Sequence, residues 1–414
     1  MTGKKLLVLA YEYDPTENAN TRIIRNVCER LAEWYAVDLV TVKADKASPR
    51  EETGRIHVIR VPGYSFHPEQ CTGKITLPVL GRMMTEKVRG KLSHEDTRMV
   101  ERLYEREIRR AVSVSSYDAM ISFSAPIPAH GCASRLTGET GVPWIAICLD
   151  PYFSHLFFGR EGLEERKKRE ERIMDAAFRV LMTYPTDRHY RQAGVSFQEK
   201  IRGLELPGIA FRKGTQEPAE SVLNPDSTDT ASVCRCSYIG SLTLNYRDPR
   251  PAISLFSAAG NGIEMNFIGP ITSGTREAFF PEGCPCRYLG SRSGDALARE
   301  YEAADVLVNI GNVADNCMPS KLFEYISTGK PIINVYKLPE CPTLKYMAVY
   351  PAALCISEKE IGEHPEECAA KVREFCRKYK GKRVPEEEIR RLYAANTYDA
   401  FTETLRSAIE EAVS

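Results

Sequence analysis

The stretch that decides the fold is 304–336, ADVLVNIGNVADNCMPSKLFEYISTGKPIINVY. Residues 305–309 are a short run dominated by apolar residues, as in a strand buried on both faces of a parallel sheet. A polar loop, 311–317, leaves its carboxyl end. Pro319 suits the first turn of a helix, where no amide hydrogen is needed, and the pattern predicts a helix over 319–328. Ser320 and Lys321 stand at its start, where free backbone amides and the positive end of the dipole favour a phosphate. Glu324 lies about one turn further in, where a carboxylate can accept hydrogen bonds from sugar hydroxyls. Gly329 ends the helix and 331–336 is the next strand. A ligand outside the carboxyl ends of parallel strands is the usual arrangement in an open α/β sheet. The same residues also describe a plain strand–helix–strand with proline at the first turn and glycine at the cap, so the pattern alone leaves both readings open.

The alternation extends outward from there. Segments 4–10, 36–42 and 56–61 read as strands, with a helix through Ile23, Ile24, Val27 and Leu31 between the first two, a βαβ unit. Further strands are expected at 119–123, 143–148 and 180–183, and helices at 96–112, 126–136 and 161–178. Residues 62–95 are irregular. Around 192–232 Gly, Pro, Ser and Asp replace periodicity, which reads as an interdomain linker with early loops of a second domain. A second series follows, with strands at 234–239, 265–268, 287–289, 306–309 and 332–336. Its helices are expected at 249–258, 293–302 and 360–379 besides the one above, and the chain ends on a long helical stretch, 385–412. The fold class is α/β, in two halves of similar size.

Composition narrows the function. At ~150 residues per domain, 414 residues suggest two or three domains. Lys plus Arg (56) balances Asp plus Glu (56), which argues against a general nucleic-acid binder. No run approaches the ~18 apolar residues that a membrane span needs. The basic, apolar N-terminus lacks a small-residue cleavage site and reads as a buried strand rather than a signal peptide. Thirteen scattered cysteines suit reduced thiols in a cytoplasm.

The segment MPSKLFEYISTGKPII (318–333) resembles the donor-site motif of glycosyltransferase family 4, retaining enzymes of the GT-B fold. FIGP (267–270), RYLG (287–290) and ADVLVNI (304–310) stand in matching order ahead of it. YDAMISFSAPIPAHGCA (117–133), GVPWIAICLDPYF (141–153) and YIGSLTLNYRDPRP (238–251) also look like that family. The resemblance implies two Rossmann-like domains facing a cleft: an acceptor-binding domain at 1–195 and a nucleotide-sugar domain at 196–384. A final helix at 385–414 crosses back to the first domain. It implies a UDP- or GDP-sugar donor, with Glu324 on the ribose and Pro319, Ser320 and Lys321 beside the diphosphate and sugar. The base would lie near Tyr288, Leu289 and Gly290, and Gly240 and Ser241 open the donor domain's first loop. Two positions depart from the pattern. Asn316 stands where many members have a glutamate, and Ser241 where many have arginine. Arg247, near the usual lysine position, is then the cation expected to neutralise the diphosphate leaving group; a solvated surface arginine is the alternative.

On the acceptor side, Asp150 follows the 143–148 strand and precedes Pro151, so it is expected either to position the acceptor hydroxyl or take its proton, or simply to cap a turn. Asn18 and Asn20 replace a Gly-rich turn and are candidates for phosphate or acceptor contacts or for a helix cap; Ser124 is a further acceptor-side candidate. No two aspartates lie two residues apart, so no Asp-x-Asp metal motif exists and metal-independent transfer is expected. Cys234-x-Cys236 and Cys284-Pro-Cys286 match no common zinc spacing and read as core thiols. The acceptor expected is a glycan, lipid-linked or surface-polysaccharide intermediate on the cytoplasmic face. The basic, apolar stretch 82–91 offers peripheral membrane contact, or a buried helix. A GT-B protein that binds nucleotide or glycan without turnover is the competing reading.

Overall fold

The computed structural model describes residues 3–13, 19–42, 50–53, 55–63, 98–124, 127–155, 162–211, 220–221, 233–244 and 246–414. Asn18 and the stretches 82–91 and 156–161 lie outside these. The chain divides into two compact units, residues 1–207 with 395–414, and residues 208–394.

The first unit is built on eight strands: β1 (Lys5–Ala10), β2 (Ala36–Val42), β3 (Arg50–Thr53), β4 (Ile56–Val61), β5 (Ala119–Ser124), β6 (Trp144–Cys148), β7 (Arg179–Thr183) and β8 (Ile201–Leu204). They lie in the order β3-β4-β2-β1-β5-β6-β7-β8, and every pairing is parallel except β3 with β4. Leu6 through Ala10 are fully buried; at about 1.5–3 kcal/mol for each large aliphatic side chain removed from water, this run is driven to the sheet centre. The chain runs from β1 to β2 on one side and later returns to β5 on the other, so the order of strands switches between β1 and β5.

The second unit carries β9 (Glu220–Ser221), β10 (Cys234–Ile239), β11 (Leu242–Thr243), β12 (Ile263–Ile268), β13 (Ile271–Ser273), β14 (Arg287–Gly290), β15 (Val306–Ile310), β16 (Ile332–Tyr336), β17 (Ala353–Ser357) and β18 (Lys382–Arg383). Six of them form one parallel sheet, β14-β12-β10-β15-β16-β17, with its switch between β10 and β15. Helices Arg250–Ala259 and Pro365–Tyr379 pack on it around Phe256, Phe267, Val306 and Val372.

Several elements differ from expectation. The 192–232 stretch is not wholly a linker: β8 pairs with β7 and belongs to the first sheet. Only four residues long and interrupted by Gly203, it carries no alternation to read. The expected helix at 360–379 is two helices, Glu358–Glu363 and Pro365–Tyr379, because Pro365 brings no amide hydrogen to continue the first. The stretch 385–412 likewise breaks into Glu386–Leu392 and Tyr398–Ala412, the second opened by Thr397, whose hydroxyl accepts from the Ala400 amide. Strands β3 and β17 lay outside the expected pattern.

Candidate functional site

In the second unit the switch point gathers the donor-side candidates. Gly240 and Ser241 follow β10, and the chain turns back so that the Arg247 amide bonds the Thr243 carbonyl. Arg247 then reaches the loop that leaves β15: its Nε and Nη2 donate to Asn312 Oδ1 at 3.1 and 3.0 Å. Asn312, almost fully buried, donates in turn to the Cys317 carbonyl, and the Val313 amide bonds the Tyr246 carbonyl at 3.2 Å. Two loops from adjacent strands are thereby tied together. Burial works against the Arg247 charge, but the Tyr238 and Tyr246 phenols beside it more than offset this and its pKa lies above the ordinary arginine value. The guanidinium stays charged.

The helix carrying Glu324 is short, Lys321–Ser327, and it is fixed to the same place by one phenol. Tyr325 Oη accepts from the Ile239 amide (2.8 Å) and donates to the Ile239 carbonyl (2.9 Å), at the end of β10. Leu322 and Phe323 amides already bond the carbonyls of Pro319 and Ser320, so the tip offers fewer free amides than the sequence suggests. A helix of seven residues also has a small dipole. Charge therefore comes chiefly from side chains. Lys321 Nζ donates to Glu324 Oε2 at 2.7 Å, and Tyr301 Oη approaches the same oxygen at 3.3 Å. Asn316 is buried in the loop ahead of the helix. Lys330, next to the motif's glycine, is taken up structurally: its ammonium donates to the Glu302 and Ala304 carbonyls, and burial pushes its pKa down to about 8.

The neighbouring strand ends are crowded. Gly269 has φ +142° and its amide bonds the Gly290 carbonyl; a Cβ there would sit 2.0 Å from the Gly240 oxygen. Only glycine lets these backbones meet. Leu289 and Gly290, at the end of β14, are half-buried beside Tyr288, which stacks on Phe280 at 5.2 Å and donates to the Gly269 carbonyl.

In the first unit, Asp150 and Asn20 come together although 130 positions separate them. Asn20 lies at the start of the helix after β1, and its side chain is near enough to the Asp150 carboxylate, just past the end of β6, to favour its charged form. Burial raises the Asp150 pKa above the ordinary value, opposed by the nearby His155 and by Asn20. His155 is held below its usual range by burial, with Asp150 pulling it back up. The segment after Asp150 is pinned: the Tyr152 amide donates to Tyr190 Oη, the Phe153 amide to Glu170, and Arg166 Nε to the Phe153 carbonyl. Ser124, at the end of β5, is buried, and its Oγ has no hydrogen-bond partner among the described residues.

Solved structures with the same architecture span nearly the whole chain. Sucrose-phosphate synthase from Thermosynechococcus elongatus is 15% identical with a TM-score of 0.62, covering 99% of each chain. HepE from Anabaena in complex with UDP is 8% identical with a TM-score of 0.58, over 98% of this chain and all of the other. WaaG, a glycosyltransferase involved in lipopolysaccharide biosynthesis, is 14% identical with a TM-score of 0.54, over 99% of this chain and 98% of the other. The fold is GT-B. No protein-family model matches the chain, and no curated protein matches it.

Within this GT-B chain, Gly240, Ser241, Arg247, Asn316, Pro319, Ser320, Lys321 and Glu324 all fall in the loops and the short helix around one switch point. Asp150 and Asn20 meet at the carboxyl ends of β6 and β1. Sequence reasoning missed Asn312, Tyr301, Tyr325 and His155. Asn312 carried a usable signal, a polar residue two places past a buried strand, and His155 lies only five residues past Asp150; Tyr301 and Tyr325 depend on contacts between separate elements. Among the described residues no helix is long and apolar enough to cross a membrane.

Proposed function

We propose that this protein is a glycosyltransferase that moves a sugar from a UDP- or GDP-sugar to an acceptor hydroxyl, with retention of configuration and without a metal. The observation that carries this is the convergence of the Arg247–Asn312 pair and the Lys321–Glu324 pair at the switch point of the second sheet. In this reading ribose hydroxyls donate to Glu324, and a phosphate oxygen takes the Lys321 ammonium that Glu324 otherwise holds. Arg247, already oriented by Asn312, faces the growing negative charge on the departing diphosphate. The base lies beside Leu289 and Gly290. Asp150, its pKa raised by burial, takes or orients the acceptor proton, positioned by Asn20. The acceptor is a glycan or lipid-linked intermediate met at the cytoplasmic face, in keeping with WaaG's part in lipopolysaccharide biosynthesis.

Binding tests the donor site first. UDP or GDP should raise the melting temperature, and Glu324→Ala should weaken that nucleotide by about 10–100-fold, the loss expected of charge-assisted hydrogen bonds. Unaltered affinity in the variant would place the donor elsewhere. Asn316 and Ser241, where charged groups are usual, favour a second reading as a binding protein without turnover. Release of nucleoside diphosphate only when an acceptor is present separates the two, and the anomeric configuration of the product decides retention.

A further inference from the structure

At the opposite end of β10 from Gly240 lies a group that the sugar-transfer reading does not use. Cys234 and Cys236, two apart on one strand, present their side chains on one face. Cys376, in the last turn of helix Pro365–Tyr379, meets them from 140 positions away, with its Sγ 3.8 Å from that of Cys236. All three sulfurs lie within 4.8 Å of one another and all three residues are buried. Along the strand Cys234 lies about 16 Å and Cys236 about 10 Å from Ile239, so the group sits at the end of β10 away from the donor-side loop.

We propose that Cys234, Cys236 and Cys376 form a binding site for a soft thiophilic metal ion in three-coordinate sulfur geometry, with copper(I) as the fitting ion. The spacing is the first argument. Three sulfurs each about 2.3 Å from a central ion in one plane stand about 4.0 Å apart, which is the scale seen here. A disulfide needs sulfurs about 2.05 Å apart and would leave the third thiol out. The donor set is the second. Among the described residues no fourth cysteine, histidine or carboxylate joins the cluster, whereas structural zinc takes four ligands. Thiolates surrounded by apolar side chains select soft ions. Val306 and Val372 belong to the same core, and the opposite charges of Lys380 and Asp305 both lie near the group. Access is short: Val233, adjoining Cys234, is 58% exposed. Bound there, the ion would clamp the central strand of the second sheet to its covering helix.

The test uses the full-length, fully reduced chain under argon, titrated with copper(I) against a competing chelator. One copper per chain is expected, with X-ray absorption showing sulfur-only coordination by three atoms. Cys376→Ala and Cys234→Ala should each weaken uptake beyond the about 10–100-fold typical of losing a mere supporting group, while Cys284→Ala/Cys286→Ala leaves it unchanged. In the wild-type chain, bound copper should protect Cys234, Cys236 and Cys376 from alkylation, a readout that does not require any variant to fold. Uptake that survives Cys376→Ala, protection of other cysteines instead, or retention of zinc(II) in preference to copper(I) would overturn the proposal. So would a Cys236–Cys376 disulfide in the purified protein combined with no copper uptake after reduction.

Discussion

Arg247 shows how little of a residue's role its own identity carries. In the sequence it is one of two arginines in a polar loop, beside Arg250. In the structure its guanidinium is oriented through two hydrogen bonds to one buried amide oxygen and stays charged despite its burial. A group held this way stabilises developing charge without reorganising. Arg247→Ala should lower the transfer rate by about 10²–10³-fold, with a smaller effect on melting temperature than on turnover. Steady-state kinetics with saturating donor checks this, and an unchanged kcat would remove Arg247 from the leaving-group site. Glu324, by contrast, was legible from its motif, though its partners Lys321 and Tyr301 were not equally so: Lys321 is three residues away on the same helix, and Tyr301 comes from a different one.

At the scale of elements, the helix Lys321–Ser327 is too short to be stable by itself. Its position depends on Tyr325, whose hydroxyl both accepts from and donates to Ile239 at the end of β10. Tyr325→Phe leaves a buried amide and carbonyl without that partner, at about 1–3 kcal/mol. Urea denaturation should show that loss, and nucleotide affinity should fall with it because Glu324 rides on the same turn. Loss of stability with affinity intact would mean that the helix is held by packing alone. Helix ends were read less well than helix bodies. Ser357 and Glu360 form a reciprocal cap that starts Glu358–Glu363, a serine–glutamate spacing present in the sequence, and Pro365 then starts the next helix. The periodicity runs on across that break, so it did not reveal two helices.

For the whole molecule, two buried groups set opposing pH slopes. His130 is fully buried with Nδ1 2.6 Å from Ser122 Oγ, and burial pushes its pKa from 6.5 to about 3. The unfolded chain protonates this ring first, so its contribution is complete above about pH 6.5 and is lost as pH falls toward 3. Glu170 acts in reverse. Burial raises its pKa from 4.5 to about 8, despite hydrogen bonds from Tyr190 and the Phe153 amide. Its contribution is complete below about pH 4.5 and is lost as pH rises toward 8. Between these limits the two slopes, each about 1.4 kcal/mol per pH unit, cancel. Glu170→Gln removes one of them. Between pH 6.5 and pH 5 the variant should therefore lose about 2 kcal/mol more stability than the wild type in urea titrations. Equal losses would mean that Glu170 is ionised inside the fold.

The sequence by itself determined the α/β alternation, the two-part organisation and the 318–333 motif. These are local: apolar runs of strand length, helical spacing, and proline and glycine at helix ends act over a few residues and need no partner to be read. Only the tertiary structure decided which strands are neighbours, and hence that the loops after β10 and β15 meet. The Arg247–Asn312 pair spans 65 positions and the Cys236–Cys376 contact 140. Such pairings follow from sheet order and helix packing, which depend on burying apolar faces across the whole unit, and no short stretch of sequence contains that information.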